Sequence, residues 1–329
     1  MLWGLVFVAP LMLPDYGPGE LALGRYLAFG LVAAVIGLWQ RKALRSLERA
    51  DWIEALKLAA VGNLLYYVLL AAAIQRSGGP LATLIIATLP LVIPLSAALA
   101  RADRDATRIM RQMRLPMLGI LLGLLLVYRQ EWAVLPESIA SGDARDRATL
   151  FQGAILGVGA LACWTWYPIR NALWLQRRTH LHPGDWATAQ GLATLALSVL
   201  ALPVLAFLSL MAGTFSAAPL EGQALWQRLL GPRPFLYLGL MLLLGLLASW
   251  VGTWLWNQAS TRLPAAIAGM LIVFEGIFAL LYVYFWRGES PGLESVCGIA
   301  LLIGGVLWGL HQATRDPADS RQPAPGKLV

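Results

Sequence analysis

GTWLWNQASTRLPAAIAGMLIVFEGIFALL, residues Gly252 to Leu281, decides the class of fold. From Pro264 to Trp286 it and the residues that follow carry a single charged side chain, Glu275. About 20 apolar residues in a helix cross about 30 Å of hydrocarbon, so 264–286 reads as a membrane span. Working outward, the same reading places spans at 2–14, 21–39, 53–74, 80–100, 115–128, 150–170, 187–211, 235–258 and 294–311, the first and fifth of them short. Lipid offers no partners to backbone polar groups, and these runs are continuously apolar rather than alternating, so helices are expected and a barrel is excluded. The class predicted is an all-α polytopic membrane protein with about ten transmembrane helices.

The whole chain agrees with that segment. Of its 329 residues 58% are hydrophobic and 13% charged, where soluble domains carry about a quarter charged residues. A net charge of +7 raises the question of nucleic acid, but the basic residues sit in inter-helix loops and form no stripe on a folded domain. With the N-terminus inside, sixteen of the 25 Lys and Arg fall in cytoplasmic segments and seven in the opposite loops, while Arg25 and Lys57 lie within spans. This positive-inside bias places both termini in the cytoplasm. Cys163 and Cys297 fall inside spans and carry no disulfide or metal spacing. The opening residues lack a basic n-region and a cleavage site, so the first apolar run is expected to stay in the mature protein.

An internal repeat emerges at an offset of 186 residues, which brings Gly78 onto Pro264, Pro90 onto Gly276 and Tyr66–Gln75 onto Gly252–Thr261. The expected organisation is a first five-helix repeat over 1–128, an exterior linker over 129–149, a second five-helix repeat over 150–311 and a disordered cytoplasmic tail over 312–329. An odd number of spans per half inverts the second copy, the arrangement behind many alternating-access transporters. Trp164 has fourteen span residues before it and its counterpart Trp3 has two. The first helix therefore reads as truncated, with a natural start upstream that adds roughly ten apolar residues; intact mass from the native locus tests this.

Glu275 is the one acid deep inside a span. Intramembrane acids are costly and are functional hypotheses by default, and a carboxyl there can exchange a proton and couple export to a proton gradient. A hydrogen-bonded structural carboxyl is the competing reading. Arg25, one turn inside the second span, either snorkels to the interface or meets an anionic substrate group. Lys57 reads as interfacial. Tyr66 and Tyr67, Trp164, Trp166 and Tyr167, and Trp250, Trp254, Trp256, Asn257 and Gln258 form aromatic and amide clusters that can line a cavity, with Asn63 as a further amide. Interfacial belts use the same residue types. Gly119 with Gly123, Gly153 with Gly157 and Gly305 with Gly309 have the spacing of close helix packing. Pro90, Pro94, Pro168 and Pro203 lie inside spans and are expected to kink them. No HExxH, P-loop, GxSxG or paired intramembrane carboxylates support an enzyme. His180 and His182 in THLHP lack a third ligand, so neither metal nor cofactor is expected.

In order along the chain, Trp3-Gly4, Arg25 in GRYLAFG, YYVLLAAAIQRSGGPLATLIIATLPL from Tyr66, WTWYPIR from Trp164, the opening stretch from Gly252, Gly288-Glu289 and GIALLIGGVL from Gly298 resemble the drug/metabolite transporter superfamily, specifically proteins with two tandem EamA-type domains. The resemblance covers nearly the whole chain. The family usually has Glu-Pro where this chain has Glu275-Gly276, a departure expected to straighten the ninth helix, and Gly-Glu where it has Ala100-Arg101. The role of that second motif is therefore not carried onto the first half. The resemblance implies a ten-helix inverted-repeat carrier of a bacterial inner membrane, commonly an exporter of amino acids, other metabolites or toxic compounds.

The function expected is a secondary active transporter exporting a small metabolite by proton antiport, with Glu275 in proton coupling. Arg25, Tyr66, Tyr67, Trp164, Tyr167, Trp254 and Asn257 are the candidate substrate-binding residues. Its partners are the small-molecule substrate, the proton and the bilayer, with no nucleic acid; a homodimer is compatible with the chain. An uncoupled facilitator or a sugar-phosphate exchanger is the alternative within transport, and a membrane-embedded lipid enzyme the alternative of another class. An exchanger needs more than one buried cation, where only Arg25 is available, and the enzyme needs a clustered constellation that the sequence lacks.

Overall fold

A computed structural model describes the chain except for residues 8, 14, 17, 100–103, 130–143, 212–230, 264, 289 and 315–329. Its described residues are helical, with no strand. A 3-10 turn Leu2–Phe7 and a short helix α1 (Ala9–Met12) open the chain. There follow α2 (Pro18–Trp39), α3 (Arg41–Arg45), α4 (Arg49–Leu58), a π-helical segment Ala59–Leu65, α5 (Tyr66–Ala87), α6 (Leu89–Leu99) and α7 (Arg104–Val127). The second half holds α8 (Ala144–Arg177), α9 (Pro183–Met211), α10 (Pro234–Leu244), a second π-helical segment Gly245–Val251, α11 (Gly252–Arg262), α12 (Ala265–Met270), α13 (Val273–Arg287) and α14 (Leu293–Thr314).

Seven described stretches are long and apolar enough to cross a bilayer: Gly19–Trp39, Arg49–Ile74, Ala148–Arg177, Pro183–Pro203, Pro234–Arg262, Ile267–Trp286 and Leu293–Gln312. Met113–Val127 is a shorter apolar helix. Leu31, Val35 and Leu38 on α2 and Leu236, Leu242 and Leu246 on the span Pro234–Arg262 are exposed. Apolar side chains on the outside are what a hydrocarbon solvent requires, and the protein is a polytopic all-α membrane protein.

The ends of these helices follow local chemistry. Proline at Pro18, Pro183 and Pro234 begins α2, α9 and α10, where its missing N–H costs nothing and its φ is already helical. Glu48 and Asp51 form a reciprocal capping box before α4. Gly288, at φ 66°, closes α13 in the left-handed conformation that glycine adopts without strain.

Three expectations change. The separation expected between the spans at 53–74 and 80–100 is not a break: α5 continues to Ala87, and Ser77 Oγ donates back to the Ala73 carbonyl. The break comes at Thr88, whose hydroxyl donates to the Ile85 carbonyl at 2.6 Å and whose own carbonyl accepts from Leu91 and Val92 N–H. Pro90 in the first turn of α6 then supports a new helix start. The ninth helix is also not continuous: it is interrupted at Leu271–Ile272, where N–H groups turn back three residues, Ile272 to Gly269 and Phe274 to Leu271. The interruption lies before the Glu-Gly pair and involves no proline. Finally, the first apolar run forms a 3-10 turn and four helical residues rather than one helix. Most of the expected linker and the tail from Arg315 lie outside the described residues.

The chain divides into two compact units, and both halves of the sequence enter each. One comprises Leu2–Val68 and Leu181–Asn257. In it α2 packs on α9 so closely that a Cβ on Gly191 would sit 2.4 Å from Ala33 Cβ, and on the second π-helical segment so closely that a Cβ on Gly245 would sit 2.8 Å from the Ala28 backbone. Leu13, Tyr16, Leu21, Tyr237, Met241 and Leu244 are part of its core. The other comprises Met1, Leu69–His180 and Gln258–Val329. There α7 and α14 meet through Gly119, Gly123, Gly298 and Gly305, with a Cβ on Gly119 only 3.5 Å from Gly305 Cα. Met113, Ile120, Met270, Ile277 and Val306 are buried beside this seam. Small residues let backbones approach and gain dispersion contact, the main attraction between helices in lipid.

Candidate functional site

In the first of these units a polar chain runs through apolar helices. Arg25, on α2 and half-buried, donates through Nε to Ser249 Oγ at 3.1 Å. Its guanidinium lies 5.2 Å from the centre of the Tyr26 ring, and Tyr26 meets Tyr67 edge to face at 6.1 Å. The Tyr26 hydroxyl donates to the Asn63 carbonyl at 3.2 Å, and Asn63 Nδ2 donates to Thr194 Oγ1 at 2.8 Å. Thr194 in turn donates to the Gln190 carbonyl on α9.

The π-helical segments explain why these groups are available. A π turn widens the i→i+4 ladder to i→i+5 and redirects carbonyls and side chains, often at functional sites. Asn63 is the fifth residue of Ala59–Leu65, and Ser249 is the fifth of Gly245–Val251. The two segments start and end 186 residues apart, so Asn63 and Ser249 occupy matching positions in register with the sequence offset.

A second group in the same unit fixes the start of α9. Asn257, fully buried, donates Nδ2 to the Pro183 carbonyl at 3.3 Å. Trp250 Nε1 donates to Thr188 Oγ1 at 3.0 Å and its ring stacks on Trp254 at 6.1 Å. A Cβ on Gly184 would lie 3.6 Å from Trp254. His182 Nδ1 accepts the Gly184 N–H. No group of three His, Cys, Asp or Glu with metal-binding geometry occurs among the described residues.

Of the remaining candidates, Tyr66 belongs to this same unit and Trp164, Tyr167 and Glu275 to the other. Trp164 and Tyr167 stack with ring centres 5.4 Å apart and planes 5° from parallel, Tyr167 being buried. Glu275 is half-buried in the first turn of α13, directly after the 271–272 interruption, with Oε2 out of reach of solvent. The Tyr128 hydroxyl lies within 3.8 Å of a Cβ built on the adjacent Gly276. Tyr66, half-buried, opens α5.

Arg25 and Tyr67 are therefore brought together through Tyr26, Trp254 and Asn257 share the start of α9, and Trp164 pairs with Tyr167. Tyr26, Thr194 and Ser249 were not among the sequence candidates. The one signal for Ser249 was its 186-residue offset from Asn63; Thr194 had none, because serine and threonine are ordinary occupants of membrane helices. Chemically, a half-buried guanidinium walled by tyrosine rings suits a small solute bearing a carboxylate.

Spanning helices that carry a cation and a hydrogen-bonded polar chain inside them have the form of a membrane transport protein. Residues 1–129 match the EamA-like transporter family. The chain is 40% identical over 319 residues to the inner membrane protein YtfF of Escherichia coli (strain K12), covering 96% of this chain and 94% of that one. The chain belongs to the EamA-like transporter family, within the drug/metabolite transporter superfamily, and is a membrane transporter. A solved crystal structure 18% identical to it, covering 95% of this chain and 94% of that one at a TM-score of 0.66, has the same fold.

Proposed function

We propose that this protein is a secondary active transporter of a bacterial inner membrane that exports a small carboxylate-bearing metabolite, of the amino-acid class, by proton antiport and alternating access. The observation that carries this reading is Arg25, held half-buried by Ser249 and Tyr26 in the middle of an apolar unit. A buried cation in lipid is expensive unless it is paired or used, and its natural complement is an anionic substrate group. Tyr67 supplies a ring face for the rest of the solute, with Tyr66, Trp164, Tyr167, Trp254 and Asn257 as further substrate-binding candidates. Glu275 takes the proton. The name of the relative supports the inner-membrane location, and the basic loops support cytoplasmic termini.

Two inverted five-helix repeats, 1–128 and 150–311, are the proposed framework for alternating access. The equal 186-residue separation of the π-helical segments supports it.

The test is counterflow and pH-gradient-driven uptake in proteoliposomes, against amino acids, quaternary cations and sugar phosphates. Accelerated movement of one carboxylate class, driven by an imposed proton gradient, is expected. Counterflow that ignores the gradient would leave an uncoupled facilitator, and preference for sugar phosphates an exchanger.

A further inference from the structure

Outside this site, the unit built from Leu69–His180 and Gln258–Val329 carries an open groove of about 550 Å³ along α6 and α8. Val158, Ala162, Trp166 and Arg170 line it at four-residue intervals on α8, opposite Val92 and Ser96 on α6. Four-residue spacing keeps them on one helix face. Val158 is 56% exposed and Ala162 is exposed, so the groove opens outward. From Val158 to Arg170 the helix rises about 18 Å at about 1.5 Å per residue, close to the about 15 Å that one leaflet contributes to a core of about 30 Å.

We infer that this groove holds one acyl chain of an anionic phospholipid, whose phosphate meets Arg170. The apolar length accounts for the chain, and Trp166 one turn below Arg170 is the amphipathic ring expected just beneath the headgroups. Charge complementarity selects the lipid: a basic group at the end of an apolar cleft between membrane helices recognises an anionic headgroup. A polar metabolite would leave the apolar walls unused. The groove is separate in sequence from Arg25 and does not depend on what the protein transports.

The experiment is native mass spectrometry of the full-length protein in mild detergent, supplied with equal amounts of phosphatidylglycerol and phosphatidylcholine. Wild-type protein is expected to retain phosphatidylglycerol roughly fivefold over phosphatidylcholine, the factor contributed by about one interfacial arginine. Raising the salt should shrink that preference without any substitution. Arg170→Gln should erase it, Arg170→Lys should keep most of it, and Ala162→Trp, by filling the cleft, should remove both lipids. Equal retention of the two lipids by the wild type, or a preference that survives high salt or Arg170→Gln, would overturn the inference. So would an Ala162→Trp protein that keeps its lipid but changes oligomeric mass, since the occupant would then be a second copy.

Discussion

An arginine at the centre of a membrane helix costs about 2.5–3.5 kcal/mol on insertion scales, an upper bound for Arg25 near the start of its span, and a cation–π contact of the kind Arg25 makes with Tyr26 recovers about 0.5–2 kcal/mol. Replacing it by an apolar residue of similar length should therefore leave the fold intact. Arg25→Met is expected to unfold in detergent at the wild-type temperature or above it, while counterflow is lost; a lower melting temperature with retained transport would make Arg25 structural. Arg25→Lys keeps the charge but not the planar fork, and its KM should rise by at least about tenfold, or about 1.4 kcal/mol. Glu275→Gln is isosteric and cannot shed a proton: exchange of labelled for unlabelled substrate should continue, while the response to an imposed pH gradient disappears. Both residues were legible in the sequence because a charge inside an apolar run stands out. Ser249 and Thr194 were not, because a hydroxyl in a membrane helix can satisfy itself on its own backbone, as Ser77 and Thr188 do here.

At the scale of elements, the membrane removes the signal on which helix reading normally rests. Lipid-facing and buried faces are both apolar, so periodicity locates spans but not the seams between them. The seams are instead marked by glycines, and only where the neighbour is close. A Cβ on Gly191 or Gly245 would meet Ala33 or the Ala28 backbone inside 3 Å, whereas one on Gly239 meets nothing within 4 Å. Gly191→Val should accordingly cost about 1–3 kcal/mol through overpacking and lower the melting temperature in detergent. Gly239→Ala should stay within about 1 kcal/mol of wild type; equal effects from the two would mean α2 and α9 are not tightly seated. The same blindness explains the misplaced break in α5: Ser-Gly-Gly-Pro is a strong turn signal in water, but Thr88 and Pro90 supply the capping and the helix start actually used. The π-helical segments had no readable code beyond their shared offset, since i→i+5 hydrogen bonding reports a local packing solution rather than a composition.

For the whole molecule, the sequence offset suggests two halves, yet neither compact unit is a half. Leu2–Val68 has its core partners in Leu181–Asn257, through Tyr16 stacked on Tyr237 at 4.7 Å and Arg233 paired with Asp15. Likewise α7 finds its seam on α14, where Arg129 pairs with Glu294 beyond the ends of the glycine contacts. A repeat copy alone would expose to lipid the close-packing faces of α2 and α7, with no partner to recover the dispersion contacts those faces are shaped for. It follows that residues 1–129 expressed alone should not yield a monodisperse product in mild detergent. Cutting the chain within the polar stretch 130–143 and co-expressing the pieces should restore both a single size-exclusion peak and transport, because the cut falls between α7 and α8 and leaves both helices whole. If the first half proved monodisperse and thermally stable by itself, the interleaving would be dispensable and each repeat would be an independent folding unit. If the co-expressed pieces failed to assemble, covalent continuity would have to act during insertion, before the units close.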